Sequence, residues 1–256
     1  MILISEKVKA VAYHIPTSPA NLRTTISLPL HSTWSSGLHF HTQHTEYLHL
    51  LQGSICLTLN AQTHILSAAA GGTVSPYTGH LLKPGLVIEV PRYARHNWSR
   101  AESKFTGRGF GVGVRLARPE DVDEQVIVEE WTSPFDISKP LFFWNLNGVI
   151  TAPEDVPLSL LQTVVKRVLG PWWIPFQLFV IFWELDNWPV FVGMRGLVRP
   201  WEGAGEWVFR CFEGLVEYVM TFVVLFAAKV LGWVIGVRAV ERARTPVKLW
   251  EAYDQR

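Results

Sequence analysis

One short histidine-rich stretch constrains the fold of this chain more than any other part of its sequence. His39 and His41 are two residues apart, so on a β-strand both side chains point to the same face. After a short turn, Glu46 can return to that face on the next strand, and His96 follows a strand that ends at Pro91. Three imidazoles and one carboxylate that converge inside a small barrel suit a first-row divalent metal and leave coordination positions open.

The sequence around these four residues is typical of an all-β domain. Short runs of β-branched and apolar residues alternate with turn residues at regular intervals. Strands are predicted at 24–30, 46–51, 54–60, 63–66, 86–90, 96–99 and 104–116. Gly53 lies in a hairpin turn, where a glycine can take a positive φ. Many short strands with Gly and Pro turns between them indicate a barrel or a sandwich.

Two segments resemble the paired motifs of the cupin superfamily. The first motif is matched by His39, His41, Glu46 and Gly53 at the family's spacing, while Thr33 holds the place of its leading glycine. The second motif is matched by Gly85, Pro91 and His96, while Tyr93 stands where the family has Gly and Arg100 where it has Asn. Motif matches of this kind are hypotheses about structure, and the resemblance covers roughly residues 25–115.

The resemblance implies a mainly β fold with a helical appendage. We expect a single-domain cupin, a double-stranded β-helix or jelly-roll barrel of two antiparallel sheets, followed by an α-helical, hydrophobic C-terminal region. It also implies that His39, His41, Glu46 and His96 are the metal ligands. Fe(II) is favoured, and Mn(II), Ni(II) or Zn(II) would suit the same ligand types.

Changes in composition divide the chain into four parts. These are an N-terminal extension (1–24), the barrel (25–117), a connecting segment (118–157) and a helical C-terminal region (158–256). The connecting segment begins with an acidic stretch, 118–131, which suits the first turn of a helix. The apolar stretch 142–150 could be a strand or a short helix, because its periodicity does not decide between them.

The helical region contains the longest apolar run of the chain, 215–237. Its length of about 23 residues is enough to cross a bilayer with some tilt. The basic residues that follow it, from Arg238 to Lys248, form the flank expected on the cytoplasmic side. We therefore expect a membrane-associated protein with its barrel in the cytosol. The alternative is a soluble cytoplasmic protein whose helices pack on the barrel or on a second protomer.

The chain lacks the usual features of a nucleic-acid-binding protein or of a secreted one. Its formal net charge of +1 gives no electrostatic case for nucleic acid. Its first residues do not read as a secretory signal, and Cys56 and Cys211 form no disulfide framework. The expected partner is a small molecule, and two copies could pair through exposed strand edges as a homodimer.

Several residues near the motifs receive individual expectations. Arg95 and Trp98 flank His96 and are candidate substrate contacts at the pocket mouth. His44 should be solvated in the turn between ligands, and Cys56 should be a small buried side chain. Leu48 and Leu50 share the strand face of Glu46 and should point inward, whereas Tyr47 and His49 should point outward.

Three functions remain open at this stage. The first is a metal-dependent oxidoreductase, of dioxygenase or oxidase type, acting on a small apolar or aromatic molecule. A looser likeness to small cupin-type oxidoreductases of fungal polyketide gene clusters, which rests on the overall layout and on 186–190, implies secondary-metabolite biosynthesis. The second is an isomerase, dehydratase or cyclase in which the metal is a Lewis acid and the catalytic proton carrier is Glu46 or another residue of the pocket. The third is a non-catalytic binding protein.

Overall fold

The chain folds into two compact units with different secondary structure. The computed structural model describes residues 11–60, 62–70, 73–74, 86–101, 124–153, 155–192 and 205–256. One unit comprises Met1–Pro140 with Glu251–Arg256, and the other comprises Leu141–Trp250. The expected mainly β domain followed by a helical C-terminal region is confirmed. The strand predicted at 104–116 lies outside the described residues.

Two β-sheets make up the first unit. One sheet has the order β1 (Ala12–His14), β2 (Thr24–Leu28), β10 (Val126–Ser133), β4 (Thr45–Gln52), β8 (Val87–Val90) and β7 (Thr73–Val74). In the second sheet, β3 (His39–Phe40), β9 (His96–Arg100), β5 (Ser54–Leu59) and β6 (Gln62–Ser67) are neighbours in that order. The described pairs within this unit are antiparallel, except that β7 and β8 run parallel.

Side-chain alternation along each strand separates an interior face from an outer one. On β4, Glu46, Leu48 and Leu50 are buried, and Tyr47 and His49 between them are partly exposed. The inward and outward orientations predicted for these residues are confirmed. The interior is mostly aliphatic, and burying each of its leucines or isoleucines contributes on the order of 2 kcal/mol to folding.

Strand β10 corrects the predicted end of the barrel. The boundary expected at 117 is wrong, because Val126–Ser133 lies between β2 and β4 inside the larger sheet. Residues 126–131 of this strand belong to the acidic stretch that was expected to start a helix. Its inward positions are Val126, Val128, Glu130 and Thr132, so a glutamate interrupts the apolar alternation from which a strand is recognised in a sequence.

The second unit is mainly helical. Its described elements are α1 (Ser138–Ile150), which begins in the first unit, α2 (Leu160–Leu169), α3 (Trp173–Glu184), β11 (Trp188–Pro189), α4 (Gly205–Ile235) and α5 (Val247–Asp254), which ends in the first unit. The stretch left open between strand and helix, 142–150, is therefore helical. Helix α2 starts with a capping box, in which Ser159 and Gln162 each accept a hydrogen bond from the other's backbone N–H.

Helices α3 and α4 pack closely and pair their charged groups with each other. Gly232 permits the close approach, since an added Cβ would lie 2.9 Å from the Val180 side chain. The Lys229 ammonium forms an ion pair with Glu184. The Thr221 hydroxyl donates to the Pro189 carbonyl at 2.8 Å. The polar groups that interrupt the apolar run of α4 thus have partners within the helical unit.

Gly53 provides a test of the β4–β5 turn. Its φ is +76°, and an added Cβ would lie 2.6 Å from the Gln125 carbonyl oxygen. Gly37 has a similar φ of +73° but open space around it, so it is the matched control. We expect Gly37→Ala to lower the free energy of unfolding by about 1 kcal/mol, the cost of a left-handed residue. Gly53→Ala should cost about 3 kcal/mol, because backbone crowding is added.

Denaturant unfolding of both variants measures this difference. Equal losses of stability would contradict the close approach of Gly53 to Gln125.

Candidate metal centre

The four residues predicted as ligands lie together in the interior of the β unit. The imidazoles of His39, His41 and His96 and the carboxylate of Glu46 offer ligand atoms that all lie within 4.8 Å of one another. His39 is paired with His96 across β3 and β9, and Glu46 comes from β4 in the other sheet. All four side chains are buried. The donor set therefore bridges the two sheets.

Backbone carbonyls fix the orientation of two of the imidazoles. The Nδ1–H of His39 donates to the Gly37 carbonyl at 2.9 Å, and the Nδ1–H of His96 donates to the Ala94 carbonyl at 3.0 Å. With Nδ1 committed in this way, Nε2 is the nitrogen each ring presents to the cluster. The His96 Nε2 lies 2.7 Å from Glu46 Oε2, and the His41 Nε2 lies 3.5 Å from the same oxygen.

The electrostatic environment keeps the carboxylate ionised and His39 neutral. Burial would raise the pKa of Glu46, but the Lys139 ammonium and the contacts with His41 and His96 hold it well below its usual value. Burial lowers the pKa of His39 well below its usual value, and the neighbouring His96 and His41 lower it further. An ionised carboxylate and a neutral imidazole are the forms that ligate a metal. The donor set therefore fits a divalent metal.

A buried lysine that the sequence motifs did not indicate, Lys139, contacts the carboxylate of Glu46. The Lys139 ammonium contacts Glu46 Oε1, and its distance to Glu130 Oε2 is 3.0 Å. The Trp98 indole N–H donates to the other oxygen of Glu130 at 2.9 Å. All four side chains are buried. Burial opposes a charged lysine, but the two carboxylates raise the pKa of Lys139 above its usual value.

The position of Glu130 is also electrostatically unusual. Burial raises the pKa of its carboxyl group, and the charge of Glu46 raises it further, while Lys139 and Trp98 partly offset both effects. The sequence contained weak signals for both partners. Lys139 precedes an apolar run at the start of α1, and Glu130 occupies an inward position of β10. Neither position belongs to a motif, and Lys139 lies 93 residues from Glu46.

The turn before His96 is held against the segment that carries His41. The Tyr93 backbone N–H donates to the His41 carbonyl at 2.7 Å, and Arg92 Nε donates to the Thr42 carbonyl at 2.8 Å. Tyr93 has a φ of +63°. This is the position at which the cupin motif has glycine, and the left-handed backbone explains that preference. Tyr93 adopts the same conformation although it carries a side chain.

The two candidate substrate contacts differ in their placement. Arg95 is partly exposed, and its guanidinium lies 5.1 Å from the centre of the Phe40 ring. Trp98 is only 1% exposed and points into the interior on the same face of β9 as His96. The expectation that Trp98 lies at the mouth of a pocket is therefore wrong. Substrate contact by either residue remains a prediction.

Two further expectations for individual residues are wrong. His44 is buried rather than solvated, and its Nε2 lies 3.4 Å from Asp136 Oδ2. The partner follows β10, so nothing in the local sequence of the turn indicated it. Cys56 is partly exposed, because Ile55 and Leu57 take the inward positions of β5.

Comparisons with known proteins give similarity at the level of the fold. No family model and no curated protein sequence matches the chain. Among solved structures, the chain is similar to the cupin domain of Cnp3 from Schizosaccharomyces pombe, with 14% identity, a TM-score of 0.27, and coverage of 47% of this chain and 61% of that one. It is also similar to an RmlC-like cupin family protein with a double-stranded β-helix fold from Methanocaldococcus jannaschii, with 12% identity, a TM-score of 0.27, and coverage of 50% and 84%.

A third similar structure is a putative sugar phosphate isomerase from Acidithiobacillus ferrooxidans. Its identity is 14% and its TM-score is 0.24, with coverage of 42% of this chain and 47% of that one. The chain thus spans less than two thirds of the Schizosaccharomyces and Acidithiobacillus structures. With such low identities and TM-scores, these likenesses carry no argument about activity.

The contact between His44 and Asp136 yields a pH-dependent prediction. Asp136 accepts hydrogen bonds from the backbone N–H of Ser138 at 2.8 Å and from its hydroxyl at 3.0 Å. Burial would raise the pKa of Asp136, but hydrogen bonds from His44 and Ser138 lower it below 3.8. Its ionised form therefore stabilises the fold above the unfolded-state pKa, and this stabilisation is lost as the pH falls through the folded-state pKa.

We expect Asp136→Asn to lower the free energy of unfolding by about 1 kcal/mol at pH 7. The difference between parent and variant should shrink in acid, as the parent carboxylate takes up a proton. Urea unfolding at neutral and acidic pH measures both values. Asp155→Asn, at an exposed position, is the control and should leave stability at neutral pH unchanged. A difference that persists undiminished in acid would contradict the role of the ionised carboxylate.

Proposed function

We propose that this chain is a metal-dependent enzyme of the cupin type, an oxidoreductase with dioxygenase or oxidase chemistry. The observation that carries the proposal is the buried convergence of three imidazoles and one carboxylate within 4.8 Å. His39, His41, Glu46 and His96 would hold the metal. A redox-active divalent ion supplies electron transfer to dioxygen, and Fe(II) is the ion we favour.

Glu46 is assigned to metal ligation rather than to proton transfer. One of its oxygens faces two imidazoles and the other faces the Lys139 ammonium. Both contacts favour the ionised carboxylate, whereas a general base must accept a proton and release it near the working pH. This arrangement disfavours Glu46 as the proton carrier of the non-redox alternative, which would then need another residue of the pocket for that role.

The proposed substrate is a small apolar or aromatic intermediate of secondary metabolism, of polyketide type. The interior beside Glu46 supports an apolar ligand, since Leu48 and Leu50 follow it on the buried face of β4 and Ile88 is paired with Leu48. The polyketide assignment rests on the sequence layout alone. An isomerase, dehydratase or cyclase in which the metal is a Lewis acid remains the second candidate, and a non-catalytic binding protein the third.

Metal analysis tests the proposal most directly. The full-length chain is purified anaerobically in detergent, and its metals are measured by elemental analysis. We expect about one metal ion per chain in the parent and none in His96→Ala, because a ligand is missing. His64→Ala is the matched control, since His64 is a buried strand histidine outside the cluster. It should retain the metal. Parental metal content in a folded His96→Ala would contradict the ligand assignment.

The identity of the metal then separates the candidate functions. Iron together with substrate-dependent oxygen uptake would support the oxidoreductase. Zinc or manganese without oxygen uptake would favour the Lewis-acid enzyme. A parent with no more metal than His96→Ala would leave the binding protein as the best candidate.

We further propose that the helical unit associates with a membrane. Two segments are long and apolar enough to cross a bilayer, Leu160–Glu184 and Phe212–Ile235, with mean hydropathies of 1.2 and 2.1. Within an 18-residue apolar window of each segment only 22% and 28% of the residues are buried, whereas a core helix of a soluble protein is mostly buried. At 1.5 Å per residue, the second segment is about 36 Å long, which exceeds a hydrocarbon core of about 30 Å.

The distribution of polar groups on α4 supports the same proposal. Among residues 212–235, whose side chains the structure describes, the exposed large side chains are all apolar: Phe212, Leu215, Val219, Met220, Phe222, Val223, Phe226, Val230, Leu231, Trp233 and Val234. By contrast, Glu217 is buried and Lys229 is paired with Glu184. Ionisable groups that are buried or paired with one another are typical of membrane helices. The paired Lys229 and Glu184 side chains remain 39% and 31% exposed. The orientation with the barrel in the cytosol and the formation of a homodimer stay predictions.

Flotation with phosphatidylcholine vesicles tests the association. We expect the parent chain to float with the vesicles and the double variant Val223→Asp/Trp233→Asp to stay in the dense fraction. An aspartate near the middle of an apolar helix, as at position 223, costs about 3 kcal/mol in a membrane, and the one at position 233 adds a second charge close to the helix end. Leu51→Asp is the control, because Leu51 is an exposed leucine at the end of β4. It should float as the parent does. Equal flotation of the double variant, or a parent that does not float, would contradict the proposal.

A further inference from the structure

The two carboxylate oxygens of Glu46 have different partners. The buried ammonium of Lys139 contacts Oε1, whereas Oε2 lies 2.7 Å from the imidazole of His96 and 3.5 Å from that of His41. The same ammonium lies 3.0 Å from the Glu130 carboxylate, and the Trp98 indole N–H donates a hydrogen bond to that carboxylate. Glu46, Lys139, Glu130 and Trp98 thus form one continuous buried chain of contacts.

A purely structural role is a poor account of this arrangement. Buried ion pairs contribute little net stability, since desolvation of the charges offsets their attraction. The ammonium also lies 3.0 Å from a second carboxylate, that of Glu130, and Lys139 is only 6% exposed to solvent. The contact has a specific consequence for Glu46. Its Oε1 is already paired with Lys139, so only Oε2 is available to a metal ion at the cluster.

We infer that Lys139 is a positioning residue that restricts Glu46 to single-oxygen ligation at the His39, His41 and His96 cluster. This inference rests on the metal site proposed above. Three imidazoles and one oxygen fill four positions around a metal, and a bidentate carboxylate would fill a fifth. By engaging Oε1, Lys139 keeps that position available to exogenous ligands, such as a substrate that chelates through two oxygens. Glu130 and Trp98 keep the ammonium in place.

Cobalt(II) is the probe for this inference, because its visible absorption weakens as its coordination number rises. The full-length chain in detergent is titrated with Co(II) in parent, His96→Ala and Lys139→Met/Glu130→Gln forms. The double variant removes one positive and one negative charge, so the net charge of the buried cluster is unchanged and Glu46 keeps its contacts with His41 and His96. Lys139→Gln/Glu130→Gln serves if the first double variant does not fold, and Lys139→Arg preserves the charge and the donors. Circular dichroism checks the fold of each protein.

We expect the parent to bind one Co(II) and His96→Ala to bind none. A folded double variant should bind Co(II) with weaker visible bands than the parent, because the released oxygen joins the coordination sphere. The single variant Lys139→Arg should keep the parental spectrum, because it preserves the positive charge and the hydrogen-bond donors. A folded double variant with the parental spectrum would overturn the inference while leaving the metal site intact. A parent that binds no Co(II) would overturn both the inference and the proposed metal site.

Discussion

The ionised carboxylate of Glu46 in the interior of the barrel is the constraint on which the rest of the β unit depends. A charge that is 1% exposed must be neutralised by groups the fold brings to it. The larger sheet supplies Glu46 on β4 and Glu130 on β10, the second sheet supplies the histidines, and the start of α1 supplies Lys139. Each of these elements is therefore needed for the same buried charge.

The sequence predicted the part of this centre that is local. His39, His41 and Glu46 lie within one strand–turn–strand segment, and the position of His96 after Pro91 follows from a second short motif. Strand periodicity also indicated the inward face of β4. Lys139 and Glu130 could not be found in this way. Their pairing depends on contacts between distant segments, and an inward-facing charge is the residue type that hides a strand from pattern recognition.

In the helical unit as well, a local feature of the sequence was predictable, whereas a contact between distant residues was not. Length and hydropathy indicated the long apolar helix, and the helix of α4 extends further toward the N-terminus than the apolar run itself. Lys229 is visible in the sequence as a charge within the apolar run, but its ion pair with Glu184 on α3 could not be predicted from the run itself. The sequence contains both residues but not their proximity.

The contacts of Lys139 have a consequence for the order of events in the cell. In small zinc domains the ligands repel or stay disordered without the metal, so folding and metal uptake are a single event. Here an internal cation already balances the buried carboxylate, and backbone carbonyls already orient His39 and His96. Uptake of an ion at the proposed metal site would therefore be a step separate from folding. The ion acquired would then depend on which metal is available, rather than on the one present as the chain folds.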